Sequence, residues 1–194
     1  MKKILLAVTV LVMACMVAGC KDKKTAPAES GADSLMIGED EDSTIYGTCG
    51  DGTSMNVLQL VADSGDTLSV FVSNEGDNVV QGGLLSGDRI AMTASKDNNG
   101  EWVAQRVINL TTLLGKWTSI DKNFEIVEGG EVKNNVKAEQ NPWTTWKILN
   151  GNLLLGRDTF LIDNLGPDSL LLENDHGIYA FKRQGEENSE KQNR

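Results

Sequence analysis

Clusters of Gly, Asn, Asp and Ser cut the chain into short pieces from Thr44 onward, and this punctuation limits the fold more than any other feature. Ser64-Gly65-Asp66, Glu75-Gly76-Asp77-Asn78, Ser86-Gly87-Asp88 and Asn98-Asn99-Gly100 all carry turn chemistry. Turn signals recurring roughly every 8–12 residues indicate a β-sandwich or barrel and leave little room for helices. The pieces between them have strand periodicity. Leu68, Val70 and Val72 alternate with Thr67, Ser69 and Ser73, and Met55 to Val61, Ile90 to Ala94 and Trp102 to Leu110 behave alike. No amphipathic helix is evident. Residues 44–110 are therefore expected to form a small β domain, read as a five-stranded barrel of the OB type.

From Thr111 the punctuation is clearer. Candidate strands are Leu113–Ile120, Phe124–Val127, Glu131–Val136, Thr144–Leu149, Leu153–Gly156, Thr159–Leu165, Ser169–Glu173 and Gly177–Arg183. Asn150-Gly151 predicts a type I′ hairpin, because both residues tolerate positive φ. Gly129-Gly130 and Gly166-Pro167-Asp168 supply further reversals. Eight short strands joined by tight turns predict an up-and-down barrel over residues 111–185, a closure that removes exposed sheet edges. The predicted class is all-β throughout, with residues 186–194 as a disordered tail.

The N-terminus predicts an address. Lys2 and Lys3 precede an apolar run from Ile4 to Val17, shorter than the ~20 residues a transmembrane helix needs. A basic start, a short apolar core and small residues at its end mark a signal peptide, here residues 1–19. Val17-Ala18-Gly19-Cys20 resembles the bacterial lipobox, which implies cleavage between Gly19 and Cys20 and diacylglycerol on the Cys20 thiol. Several acyl chains hold a protein to a bilayer without a spanning helix. Lys21 is not an inner-membrane retention signal by the same resemblance, so the expected location is the cell envelope, at the outer membrane. Residues 20–43, ending in Glu39-Asp40-Glu41-Asp42, are expected to be a flexible acidic linker.

Charge and composition exclude several functions. The chain carries 18 basic and 28 acidic residues, and losing Lys2 and Lys3 leaves 16 against 28, a balance of −12. Nucleic-acid binding, which draws its affinity from Lys and Arg, is disfavoured. Cys15 leaves with the signal and Cys20 is lipidated, so Cys49 has no partner for an internal disulfide. Cys49 lies in Gly47-Thr48-Cys49-Gly50-Asp51-Gly52, read as a flexible turn, with a small, partly buried thiol as the favoured role. His176, the one histidine, sits in the turn Asp175-His176-Gly177 without a Gly-x-Ser-x-Gly elbow. Neither a catalytic residue, a metal site nor a cofactor is expected, and the chain is not read as an enzyme. Trp143, after Asn141-Pro142, is read as packing across its loop, with a rim position as the alternative.

Two short segments of the second unit resemble a known family. Leu114-Gly115-Lys116-Trp117 is similar to the Gly-x-Trp opening of lipocalin and calycin barrels, and Tyr179-Ala180-Phe181-Lys182-Arg183 to their closing, arginine-ended strand. More narrowly, residues 44–183 resemble the lipocalin-like lipoproteins of gut anaerobes, in which a stretch like Tyr46 to Thr53 precedes the barrel. Alternate residues of a strand share a face. If the first and last strands pair, Arg183 can lie over the Trp117 ring, a structural pair that would plug one mouth and leave the other for a ligand. The resemblance implies a small apolar ligand within a pocket lined by Trp146, Ile148, Phe160, Ile162, Leu170, Leu172, Tyr179 and Phe181. The same side chains make an equally good packed core, and at about 75 residues the barrel is small enough that its interior can simply be filled. A filled barrel would point instead to an interaction or assembly module engaging another envelope protein.

Overall fold

The computed structural model describes residues 41–73, 79–136 and 141–185. The signal peptide, the Gly19–Cys20 junction, most of the linker, the Glu75–Asn78 turn and the tail from 186 lie outside the described residues.

The chain is all-β, and its first unit is a closed five-stranded barrel. Strands β1 (Ile45–Cys49), β2 (Val57–Ala62) and β3 (Thr67–Phe71) form a meander. β5 (Arg89–Lys96) pairs with β1, and β6 (Trp102–Asn109) pairs with β5. A parallel contact between β3 and β6, Val70 opposite Trp102 and Phe71 opposite Val103, closes the cylinder. That order, 1-2-3 followed by a return pair, is the OB arrangement. The short β4 (Val80–Gln81) runs parallel to β6 outside this ring. Leu58, Leu60, Val70, Val72, Ile90, Met92 and Val107 fill the interior, as the period-two pattern requires.

Cys49 has the buried thiol expected of it, but in a strand and not in a flexible turn. It is the last residue of β1, 1% exposed, and packs in this core with its Sγ 3.3 Å from Thr53 Oγ1. The Gly-rich composition suggested a loop, but Gly47 is small for a packing reason. A Cβ there would stand 2.5 Å from the Val61 carbonyl oxygen of the neighbouring strand.

A single helical turn, α1 (Leu110–Leu113), leads into the second unit; the sequence expectation had begun a strand at Leu113. Asn109 caps it by accepting from the Thr112 N–H at 2.9 Å. The second unit contains β7 (Gly115–Thr118), β8 (Asn123–Val127), β9 (Glu131–Asn134), β10 (Trp146–Leu149), β11 (Asn152–Leu155), β12 (Asp158–Leu165), β13 (Ser169–Asn174) and β14 (Gly177–Arg183). Neighbours in sequence pair antiparallel from β7 to β9 and from β10 to β14, and β14 returns to β7. A lone bridge between Glu131 and Thr145, with the Val132 N–H on the Thr144 carbonyl at 2.9 Å, joins β9 to the chain leading into β10. The result is a nearly closed, up-and-down eight-stranded barrel of lipocalin-like form. The Asn150-Gly151 turn has φ of 49° and 79°, as a type I′ hairpin demands.

The two barrels share buried strands. In β5, residues Ile90 to Thr93 are all buried: Ile90 and Met92 point into the first barrel, while Ala91 joins the second core along with Ile108 of β6. Polar contacts finish the junction. Tyr46 Oη donates to the Ile148 carbonyl at 2.8 Å, and the Asn150 N–H donates to Thr44 Oγ1 at 2.9 Å. Pairing of β12 with β13 shifts between Ile162 and Asn164, a bulge that turns backbone groups away from the ladder. The buried Gln81 side chain satisfies them, donating to the Asp163 carbonyl at 3.2 Å and accepting from the Leu165 N–H at 2.8 Å.

Candidate functional site

The end of the second barrel nearest α1 is sealed by Trp117 and Arg183. They are register partners across the β7–β14 seam, and the guanidinium carbon lies 4.2 Å from the indole centre. Trp117 is fully buried and its Nε1 donates to the Leu113 carbonyl at 2.9 Å. Arg183 is held by carbonyls: Nη1 donates to Leu114 O at 2.8 Å, Nη2 to Thr112 O at 2.5 Å, and Nε to Pro167 O. Burial pulls its pKa below the ordinary arginine value, and the nearby Asp168 carboxylate opposes that shift. Gly115 makes the arrangement possible. Its φ of 122° is strained for any residue with a Cβ, and a Cβ there would meet Arg183 Nη1 at 2.5 Å.

Beyond this seal the lumen is packed with side chains. Ile148, Phe160, Ile162, Leu170, Leu172 and Phe181 are each at most 3% exposed and belong to one hydrophobic cluster. Trp146 and Tyr179 are half-buried and pack against it, Trp146 Nε1 donating to the Val127 carbonyl at 2.7 Å. The structure thus brings together all eight residues proposed to line a cavity, as packed core.

The far mouth departs from expectation. It was to stay open for a ligand, but Trp143 fills it. Trp143 is 7% exposed and meets Phe124, Phe160 and Phe181 edge-on, with ring centres 5.2, 5.6 and 6.4 Å away. Its Nε1 donates to Asp158 Oδ2 at 2.9 Å, and Lys122 Nζ stands 4.1 Å from its ring centre. A long aromatic side chain reaching in from the segment before β10 was the simplest way to fill a short barrel. Composition alone did not reveal it, because loop tryptophans also serve as exposed anchors.

Several concave features lie outside the lumen. A cleft of about 440 Å³ at the junction of the barrels is walled by Tyr46, Leu110, Leu114, Trp146 and Ile148, with Arg89, Lys147 and Glu128 among its polar members. Arg89 is committed to a two-pronged contact with Asp63, at 2.7 and 2.9 Å. A groove of about 600 Å³ runs along the β7–β14 seam, between Thr118–Lys122 and Ile178–Lys182. His176 is exposed in the β13–β14 hairpin, at the edge of a third depression with Arg157 and Glu173. Among the described residues, no three His, Cys, Asp or Glu side chains are grouped to hold a metal ion. No helix among the described residues is long and apolar enough to cross a membrane.

No protein-family model matches the chain, nor does any curated protein or solved structure. The site must be understood from its own geometry: two joined barrels, the second sealed at both ends by a tryptophan beneath a cation.

Proposed function

We propose that this chain is a lipid-tethered envelope protein that engages another protein through the outside of its barrels. The observation that carries the reading is the filled second barrel, with Trp117 at one mouth, Trp143 at the other and Phe124, Phe160 and Phe181 between them. A carrier of small apolar molecules needs a concave site of roughly 300–1,000 Å³ that buries its ligand. Large apolar side chains are instead displayed outside: Ile120 is fully exposed, Leu85 73% and Ile178 65%. Ile120 and Ile178 share one groove, and grouped apolar surface of this kind suits protein contact. The tether rests on Val17-Ala18-Gly19-Cys20 and on the likeness to small lipocalin-like lipoproteins.

A second reading draws on the junction cleft, whose apolar walls could take a small hydrophobic molecule outside the lumen. Native mass spectrometry of the full lipidated chain, extracted from its own membrane, separates the two. The proposal expects a complex with a second polypeptide. A small-molecule adduct that disappears when Leu114→Trp fills the cleft would replace it with the second reading. The tether is tested apart from either: Cys20→Ser should leave an uncleaved precursor, and normal lipid labelling of that variant would remove the proposed address.

A further inference from the structure

The seam that closes the second barrel is only half made. Gly177 through Lys182 all pair with β13, but only Lys182 and Arg183 pair with β7. Two bonds fix which way each residue faces. The Arg183 N–H goes to Asp168 O on the β13 side, and the Gln184 N–H goes to Lys116 O on the β7 side. Backbone polar groups alternate in direction along a strand, so Lys182, Ala180 and Ile178 face β7. Lys182 meets Thr118 there. Beyond it β7 has ended, and Ser119 N–H closes a turn onto Lys122 O at 2.8 Å. Among the described residues, no strand pairs with Ile178 or Ala180 on that side, and both are exposed.

We infer that this open seam is a docking edge for an extended segment of a partner protein, which adds as a strand along Ile178–Lys182. The inference rests on the protein-partner reading above and names its surface. An unpaired, exposed strand edge is normally blunted by proline, bulges or charge. Here it carries Ile178 and Ala180, with the fully exposed Ile120 on the facing wall of the groove. Strand addition draws affinity from main-chain bonds and selectivity from alternate side chains. The groove's charges select the occupant: Lys122 and Lys182 outweigh Asp121, on a chain whose overall balance is −10. An apolar strand with acidic flanks complements that surface. A second copy would bring the same lysines and the same net charge, so self-pairing is disfavoured.

The test uses the full lipidated chain in detergent micelles, with a short synthetic peptide alternating valine and glutamate and its valine–lysine counterpart. In the free protein the Ile178 and Ala180 amides should exchange fast with solvent. The glutamate peptide, and not the lysine one, should slow both. Ala180→Pro removes an N–H on the open side, where proline is tolerated in edge strands, and should weaken binding by about tenfold or more. Ile178→Glu, which keeps every ladder bond, should do the same by charge repulsion, with an unchanged far-UV spectrum. Slow exchange in the free protein, or binding indifferent to both variants, would overturn the docking edge. So would a dimer that Ala180→Pro dissociates, since the occupant would then be a second copy. A native partner that stays bound to the Ala180→Pro protein defeats the seam alone. Membrane-extracted protein carrying only a small-molecule adduct defeats the reading beneath it.

Discussion

The two mouths of the second barrel carry the same chemistry, a cation over an indole, built with different cations. Arg183 is fixed by three backbone carbonyls from Thr112, Leu114 and Pro167, and a glycine at 115 clears its path. Lys122 reaches the Trp143 ring from a turn, with one flexible stem and a compact charge. Planar guanidinium suits a site where several acceptors converge, and an ammonium suits a rim that water still reaches. The first mouth lies against α1 and the first barrel, so its geometry is tied to the rest of the fold. The second mouth faces away from that junction and has only its own barrel to hold it. The same cation–indole pairing thus closes one mouth tied to the rest of the fold and one tied to its own barrel.

Trp117→Ala should be the most damaging change, because it empties the sealed end and strips the stacking partner from a half-buried guanidinium. A loss of about 3–5 kcal/mol is expected, seen as a fall of roughly 10 °C or more in the thermal midpoint. Trp143→Ala should cost less, since water can reach the vacated rim, and equal losses would erase the distinction between the two mouths. Arg183→Lys keeps the charge but cannot satisfy three divergent carbonyls, and chemical denaturation should show a loss of about 2 kcal/mol. Gly115→Ala should give a similar loss, about 1–3 kcal/mol from backbone strain and the displaced arginine. If Gly115→Ala is harmless in the Arg183→Lys background, the two act through one contact. Lys122→Ala should shift stability by only about 0.5–1 kcal/mol.

The smallest effect lies in the first barrel and serves as a reference for surface charge. Bonding to Arg89 holds the Asp63 carboxyl below its ordinary pKa. The group therefore stabilises the fold at pH values above the unfolded carboxylate value of about 3.9. That contribution is lost as pH falls through the lower folded value. The pair is about half exposed, so its worth is about 0–1 kcal/mol. A comparison of wild type with Asp63→Asn should show the difference at pH 7 and none in strong acid.

Much of the second barrel was legible because its signals are local. Asn150-Gly151 can form a tight hairpin whatever surrounds it, and alternation sorted Ile148, Phe160, Ile162 and Phe181 to one face without coordinates. Trp117 and Arg183 were singled out by the lipocalin resemblance of the two end strands, and alternation allowed them to meet once those strands pair. Where reading failed, the cause was distant. Cys49 was placed in a loop because glycines surround it, yet Gly47 is small to admit a neighbouring strand. Trp143 was rightly read as packing, but nothing in Asn141-Pro142-Trp143 reveals that its partners are three phenylalanines from β8, β12 and β14. Gln81 gave no signal at all, since the bulge it satisfies lies more than eighty residues away.

The sequence by itself determined the all-β class, the tight turns of the second barrel, the alternation of faces along its strands and the acidic balance of the chain. These follow from φ preferences, period-two alternation and charge, which need no partner to be read. Only the tertiary structure decided that the lumen is filled, that two strands of the first barrel are buried on both faces, and that the closing seam stops at Lys182. Each of those depends on where strands end relative to neighbours far along the chain. Pairing length and core volume are properties of the assembled sheet, and no local pattern encodes them.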